Sequence, residues 1–359
     1  MPEAASTWRP LSLDPPATAL AVALVAAAAL TFWSCRHLSG RGQALGLVHA
    51  VAAVGLVGAV AAIVQRAVDP TRIYGLWLPV DAGARPFGPF VNRNHFATWL
   101  LMAMPLTAGA VATMGLRRPT AGLAASLAAG VHALGSRRGW TLVALGTMLV
   151  ALLLSFSRSA FAGGVAALAA WCLLGSRRAS RPGLLAALTG AVMLAMVMAW
   201  AAPLPPILAR VRETLSLGAA GRTAIWADAR TVARTFPMTG TGLGTFERSM
   251  VIYQTTDRRT RTNQAHNQYL QLLAEGGALV TVPCAVVCLV FLWMARQRLR
   301  EDHSPAAWLR IGSLAGLTGV AVQGLWETGL RMPANGILLA VAAAIAIHRP
   351  RPPGAPQLR

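Results

Sequence analysis

Long apolar runs that carry almost no charge are the feature that most constrains how this chain can fold. A hydrocarbon core about 30 Å thick is crossed by roughly 20 helical residues, and runs of that order recur along the sequence. With 55% hydrophobic and 12% charged residues, the composition is that of a membrane-spanning chain and not of a soluble globular protein. We therefore predict an all-α fold, a polytopic integral membrane helical bundle.

About nine spans are predicted. The apolar runs cover residues 17–34, 44–65, 96–116, 139–157, 160–175, 183–202, 270–295, 306–328 and 333–348. Residues 119–135 are bracketed by arginine pairs, and we interpret them as a cytoplasmic surface helix. The predicted division is an N-terminal transmembrane segment of about six spans (1–202), a large loop (203–265) and a C-terminal transmembrane segment of about three spans (266–359).

Arginine sets the predicted orientation of these spans. All 32 Lys+Arg positions are arginine, against 12 acids, which gives a formal net charge of +20. The arginines cluster in alternate short loops, and the positive-inside rule places those loops in the cytoplasm. The connections 66–95 and 203–265 then face the periplasm across a bacterial inner membrane. We expect the second to be a mainly helical subdomain, since loops longer than about 15 residues are usually functional.

Composition also argues against several kinds of partner. The arginines lie in loops between apolar runs, without a basic helix face or an aromatic stacking platform, so no nucleic acid is expected. The four cysteines lie in or beside apolar runs, and Cys284 and Cys288, four residues apart, have no histidine or carboxylate neighbours, so neither zinc nor a disulfide is indicated. No other metal-binding motif occurs, and no cofactor is predicted.

Unusual arginines collect on the predicted periplasmic side. Arg158 separates two apolar runs with hardly any loop, where a guanidinium is costly unless it is paired or hydrated. Arg222 lies in the long loop, which carries more arginines than acids. Planar guanidinium groups grip phosphate oxygens through two hydrogen bonds, so these residues would suit a lipid-linked phosphate. Snorkelling of Arg158 and mere composition are the alternatives. Glu327 and Arg331 are interpreted as pairing with each other or with these arginines.

A histidine and its neighbours complete the candidate set. His266 precedes the seventh predicted span, where a group that titrates near neutrality can act as a base. Asn267 adjoins it, and Glu275 follows on the same predicted helix. Glu275 either orients His266 or an arginine, or is a simple helix-end carboxylate. Asn92, Asn94 and His95 directly precede the third predicted span. They either line a cavity or cap the helix of that span.

At these residues the chain resembles the O-antigen ligase and polymerase family. Three separated motifs carry the resemblance: Phe87 to Ala97, which contains Asn92-Arg93-Asn94-His95; the turn Ser157-Arg158-Ser159; and a third that runs from Gly221-Arg222 through Gly240-Thr241-Gly242 to His266-Asn267 and Glu275-Gly276-Gly277. Each motif is weak alone, but their order and spacing are specific. The resemblance covers roughly residues 72–295.

The resemblance implies a membrane glycosyltransferase that works without metal or nucleotide sugar. It would transfer a glycan from a polyprenyl (undecaprenyl) pyrophosphate carrier to an acceptor hydroxyl at the periplasmic face, in cell-surface polysaccharide or lipopolysaccharide biosynthesis. Arg158 and Arg222 would bind the pyrophosphate, and His266 would accept the proton from the attacking hydroxyl or orient it. The acceptor would be a glycan, a lipid A core or a protein.

Several functions stay open at this point. A ligase, a polymerase and a protein glycosyltransferase would differ only in the acceptor. A lipid-carrier flippase or small-molecule transporter would use ionisable groups near mid-membrane, whereas the twelve acids fall in loops or near span ends. A noncatalytic scaffold for envelope assembly would use the long loop as a docking surface.

Overall fold

The computed structural model describes residues 10–80, 84–114, 135–176, 178, 221–255, 258 and 261–349. Within these residues the chain forms helices and a few isolated β-bridges but no strand. The predicted all-α fold is confirmed for this part of the chain. Two predicted segments, the span at 183–202 and the surface helix at 119–135, lie outside the described residues.

Ten α-helices are described. Their bounds are α1 Pro15–Leu38, α2 Ala44–Val68, α3 Arg93–Thr113, α4 Arg137–Leu154, α5 Arg158–Gly175, α6 221–235, α7 Phe246–Tyr253, α8 Gln268–Glu301, α9 Ala307–Gln323 and α10 Pro333–Ile347. A π-helical turn joins α1 to α2, and a short 3-10 helix precedes α10.

Six of the described helices are long and apolar enough to cross a membrane: α1, α2, α3, α4, α5 and α8. Two further helices, α9 and α10, are shorter, at 17 and 15 residues, and coincide with the predicted spans at 306–328 and 333–348. The chain is therefore a helical membrane protein. The count of nine and the periplasmic position of 203–265 stay predictions, as does the division at residues 202 and 265.

By internal contacts the chain forms two compact units. The first unit comprises Met1–Ala27, Trp200–Val290 and Gly324–Thr328, and the second comprises Ala28–Ala199, Phe291–Gln323 and Gly329–Arg359. Each unit therefore gathers segments that are far apart in sequence, and each is described below by itself.

In the second unit, α9 packs along both α3 and α5. The approach of α9 to α5 depends on small residues, because a Cβ on Gly163 would lie 2.6 Å from the carbonyl oxygen of Gly319. A Cβ on Gly319 would in turn lie 2.8 Å from the carbonyl oxygen of Gly163. Glycine pairs of this kind let membrane helices approach closely enough for extensive van der Waals contact.

The first unit is organised around a kink in α8 at Gly277, whose φ is +55°. A kink leaves backbone groups without their helical partners. The segment 237–242 supplies replacements through four backbone hydrogen bonds: Thr241 N–H to Ala274 O (3.1 Å), Gly242 N–H to Glu275 O (2.8 Å), Ala278 N–H to Pro237 O (2.8 Å) and Leu279 N–H to Met238 O (3.0 Å). Two parts of the third motif, Gly240-Thr241-Gly242 and Glu275-Gly276-Gly277, are thus hydrogen-bonded to each other.

The start of α1 is tied to the same unit. The Leu13 N–H donates to the Thr241 carbonyl oxygen at 2.9 Å, and Asp14 pairs with Arg248 at 3.1 Å. The Ala17 N–H, followed by the Arg248 side chain, holds the pKa of the Asp14 carboxyl below its ordinary value. The beginning of α1 and the turn at 240–244 therefore lie on the same side of the structure.

A buried ion pair joins the end of α8 to the start of α9 and the end of α10, all within the second unit. The fully buried Arg310 donates to Asp302 Oδ2 at 2.8 Å and to the Ala346 carbonyl oxygen at 2.9 Å. The N–H of Ser304 also donates to Asp302, at 3.0 Å. Breaking such a pair leaves an uncompensated charge in a site from which water is excluded.

We expect Asp302→Ala to destabilise the protein by about 3–5 kcal/mol, because it leaves the Arg310 guanidinium buried and unpaired. The measurement is the midpoint of thermal unfolding in detergent. Glu301→Ala is the matched control, since Glu301 pairs with Arg298 at the surface and such pairs contribute about 0–1 kcal/mol. Equal midpoints for the two variants would contradict the structural role of Asp302.

Candidate active site

Four arginines of the second unit form an arginine cluster: Arg66, Arg85, Arg93 and Arg158. Arg66 lies near the end of α2, Arg93 begins α3 and Arg158 begins α5. The Arg93 side chain is half-buried, and the charges of the other three repel it. No ion pair of these four is found among the described residues. Like charges held together without a carboxylate form a site for an anion.

Backbone geometry fixes Arg93 within this cluster. Asn92 is the N-cap of α3, and its side chain accepts a hydrogen bond from the Asn94 N–H at 2.9 Å. The Arg93 N–H donates to the Arg85 carbonyl oxygen at 3.0 Å, which brings the connection before α3 against the helix start. Of the two interpretations of Asn92, helix capping therefore agrees with the structure.

The neighbouring candidates before α3 are anchored into the helix packing. His95 is buried, and its carbonyl oxygen accepts from Asn335 Nδ2 at 3.0 Å. The carbonyl oxygen of Asn94 accepts from the Thr98 hydroxyl at 3.0 Å and from Gln323 Nε2 at 3.4 Å. These contacts join the start of α3 to α9 and α10. The backbone of Arg93 is therefore anchored to these packed helices.

A strained turn presents Arg158. Phe156 has a φ of +48°, a conformation that is uncommon outside glycine. The Ser155 hydroxyl accepts from the Ser157 N–H at 3.2 Å, and Ser157 is the N-cap of α5. The Arg66 guanidinium lies 4.9 Å from the centroid of the Phe156 ring, a cation–π contact. The turn therefore carries Arg158 into the exposed first position of α5 and holds Arg66 beside it.

Arginine is electrostatically unfavourable at the start of a helix. The N-terminus carries a partial positive charge, and its free N–H groups attract anions. Both Arg93 and Arg158 occupy such positions, at the starts of α3 and α5. The clustering of guanidinium groups with helix N-termini suits a multiply charged oxyanion such as pyrophosphate.

In the first unit, His266 is held in an unusual backbone conformation. Its φ is +49°, and residues in such sparsely populated regions cluster at functional sites. The preceding Ala265 is fixed on both sides, since its N–H donates to Gln271 Oε1 at 2.9 Å and its carbonyl oxygen accepts from Trp226 Nε1 at 2.9 Å. The following Asn267 accepts from the Leu270 N–H at 2.9 Å at the start of α8. Hydrogen bonds therefore hold the residues on both sides of His266 in place.

A carboxylate lies beside this histidine. Glu327 Oε1 is 3.8 Å from His266 Nδ1, and the Glu327 side chain is almost fully buried. Asn267 contributes to this arrangement, because its side-chain amide donates to the Leu325 carbonyl oxygen at 3.2 Å. The Gln268 N–H donates to the Gly324 carbonyl oxygen at 2.8 Å. The segment 324–328 thus runs along the start of α8 and brings Glu327 to His266.

Arg222 lies on α6 of the same unit and is half-buried. It is four residues before Trp226, so both side chains share one face of the helix. Trp226 packs on the segment before His266 through its bond to Ala265. A helix is therefore present around Arg222, and its Trp226 face contacts the segment that precedes His266.

Glu275 takes a different position from the one that would orient His266. Its buried carboxylate accepts from the Gly244 N–H at 2.8 Å, the Phe246 N–H at 3.1 Å and Gln271 Nε2 at 3.0 Å. These contacts fix the glycine-rich turn and the start of α7. The geometry favours a structural role for Glu275, while Glu327 is the carboxylate next to the histidine.

We expect Glu275→Ala to lower the free energy of unfolding by about 3 kcal/mol, because the buried Phe246 N–H, the half-buried Gly244 N–H and the Gln271 amide lose their acceptor. Thermal unfolding of the purified protein measures this effect. Glu247→Ala removes an exposed carboxylate of the same unit, paired with Arg261, and should change stability little. A fully stable Glu275→Ala protein that had lost activity would contradict the structural role.

Comparison with known proteins bears directly on these motifs. Residues 143–283 match the model of the O-antigen ligase family. The recognition of this family from the sequence is confirmed, and the matched segment contains Arg158, Arg222, His266 and Glu275. A search of curated proteins found no match. The O-antigen ligase family implies a membrane-embedded, glycosyltransferase-like enzyme that transfers glycans.

Three members of the arginine cluster and the histidine's carboxylate lie outside the matched O-antigen ligase segment. Arg66, Arg85 and Arg93 precede it, and Glu327 follows it. Arg93 belongs to the first sequence motif, and that motif could have identified it as a candidate site residue. Nothing in the local sequence marks Glu327 as a neighbour of His266, because the contact joins residues 61 positions apart only through folding.

Proposed function

We propose that the protein transfers a glycan from a polyprenyl pyrophosphate carrier to an acceptor hydroxyl at the periplasmic face of a bacterial inner membrane. The arginine cluster is the observation that carries this proposal. Four cations beside two helix N-termini suit the pyrophosphate of such a carrier, and Arg158 among them lies within the matched family segment.

In the proposed reaction, the oxygen of the acceptor hydroxyl attacks the anomeric carbon of the donor sugar. The bond from that carbon to the pyrophosphate oxygen breaks, and polyprenyl pyrophosphate leaves with the bonding electrons. His266 takes the hydroxyl proton, and Arg158 and Arg222 stabilise the charge on the departing group. A single displacement of this kind inverts the configuration at the anomeric carbon.

Glu327 gives His266 the orientation that this role requires. A carboxylate beside Nδ1 favours the tautomer with its proton on Nδ1, which leaves Nε2 as the base. The distance of 3.8 Å exceeds a hydrogen bond, and such contacts commonly shorten when substrate binds. Because Glu327 is almost fully buried, its charge acts on the imidazole with little screening by water.

We expect Glu327→Gln to lower kcat about 100-fold or more, because His266 loses the charge that orients it. The donor KM should change little, because the arginines proposed to bind the donor are unchanged. Glu247→Gln, which changes an exposed carboxylate of the same unit, is the control. A shift confined to the donor KM would place Glu327 in binding and contradict the positioning role.

The whole proposal is tested with purified protein in detergent, given a polyprenyl-pyrophosphate glycan and a panel of lipid, glycan and peptide acceptors. EDTA present throughout tests the metal-independent mechanism. Transfer to one class of acceptor is the expected result and distinguishes ligase, polymerase and protein glycosyltransferase. Movement of the lipid carrier across vesicles without any transfer would instead support a flippase, and neither activity would support a scaffold.

A further inference from the structure

A second basic site lies near the ends of α5 and α8, within the second unit. A cavity of about 800 Å³ is enclosed by the ends of α5 and α8 and by the flank of α9. Among the described residues, three arginines and one histidine line it: Arg178, Arg296, Arg300 and His303. The arginines belong to loops and helix ends that the positive-inside rule assigns to the cytoplasm, opposite the arginine cluster.

The charge of this cavity is not neutralised by its own walls. Arg296 and Arg300 are exposed, and no ion pair of either is found among the described residues. They are four residues apart on α8, where like charges repel each other. Neighbouring Arg298, which does not line the cavity, instead pairs with Glu301 at 2.9 Å. Without a carboxylate partner among the described residues, these two guanidinium groups favour the binding of an external anion.

Arg178 is held in place as part of the cavity wall. Its guanidinium donates to the carbonyl oxygens of Leu299 at 3.0 Å and Asp302 at 2.6 Å, at the end of α8. One nitrogen makes both bonds, so the other N–H groups of the fork stay available for a ligand. A pre-positioned arginine loses less side-chain entropy on binding a phosphate than a mobile one.

The apolar part of the lining indicates what kind of anion fits. Leu173 of α5 and Leu292 of α8 line the cavity and are 76% and 57% exposed. On helices that cross a membrane, such side chains face lipid acyl chains. Leu174 and Leu299 also line the cavity. The site thus joins a basic end to a surface that faces hydrocarbon, which suits an amphiphile better than a free ion.

We propose that this cavity binds the phosphate head group of an anionic phospholipid from the surrounding membrane. Basic pockets between helices on the cytoplasmic side are typical sites for such head groups. The bound head group would reduce the repulsion between Arg296 and Arg300 and join α5 to α8 at their ends. This site is separate from glycan transfer and does not depend on the proposed reaction.

The test is native mass spectrometry of the full chain with phosphatidylglycerol, phosphatidylcholine or inorganic phosphate. We expect one phosphatidylglycerol to bind more tightly than phosphatidylcholine. An arginine near an anionic lipid contributes about fivefold in affinity, so R296Q/R300Q should weaken phosphatidylglycerol binding about 25-fold. R298Q removes one arginine from the same helix outside the cavity and should leave binding nearly unchanged.

Three results would overturn this proposal. Unchanged lipid affinity in R296Q/R300Q would remove the cavity from lipid binding. A loss in R298Q as large as in R296Q alone would attribute the effect to overall charge. Displacement of the lipid by inorganic phosphate, with similar affinity for both, would identify a soluble phosphate as the ligand. Circular dichroism of each variant checks that the substitutions leave the helices folded.

Discussion

Replacing His266 by alanine is expected to lower glycan transfer by about 10²- to 10⁴-fold, the contribution of a positioned general base. The proposal makes the imidazole the acceptor of the hydroxyl proton, and Glu327 at 3.8 Å is placed to orient it. The measurement is kcat for transfer from a polyprenyl-pyrophosphate glycan. We expect donor binding to persist, because the proposed pyrophosphate ligands are Arg158 and Arg222 and not His266.

The backbone at His266 requires a second variant. Its φ of +49° is strained for alanine but is tolerated by asparagine, so His266→Asn removes the base and keeps the turn. His37→Ala, at the exposed end of α1, controls for the loss of a histidine. Transfer at the wild-type rate by a folded His266→Asn protein would remove His266 from the mechanism.

The helices of this protein follow from its sequence because membrane crossing depends on local properties. The uninterrupted apolar run at residues 50–64 of α2 must satisfy its own backbone hydrogen bonds within the membrane, so its composition predicts a helix without knowledge of its neighbours. Shorter helices depend more on packing. Arg310 interrupts the apolar pattern of α9, and its ion pair with Asp302 and its hydrogen bond to the Ala346 carbonyl oxygen make this residue compatible with a buried helix.

The site was predictable where a motif is local and not where contacts are distant. The Ser157-Arg158-Ser159 turn could be recognised because N-cap, arginine and helix start are adjacent in sequence. Glu275 shows the limit of such reasoning. Its place near His266 in sequence suggested an orienting partner, yet the kink at Gly277 turns its carboxylate to the N–H groups of the 244–246 turn. Tertiary structure decided which carboxylate meets the histidine.

Replacing Arg158 is expected to lower kcat about 10²- to 10³-fold, the usual effect of removing one stabilising group from a developing oxyanion. Arg158→Gln loses both the charge and the paired hydrogen bonds to phosphate oxygens. Arg158→Lys keeps the charge without the planar fork and should recover only part of the rate. Kinetics with the lipid-linked donor measure both variants, and Arg72→Gln, an exposed arginine paired with Asp69, is the control.

The stability of the same variants separates a ligand-binding arginine from a structural one. Arg158 adds to the repulsion within the arginine cluster and lies at a helix N-terminus, where a cation is unfavourable. Without bound donor, Arg158→Gln should therefore unfold at the same temperature as the wild type or a higher one, although it is nearly inactive. Asp302→Ala should show the opposite pattern, since it breaks a buried ion pair away from the cluster. A lower unfolding temperature for Arg158→Gln would mean that Arg158 supports the fold, and its assignment to the pyrophosphate would then fail.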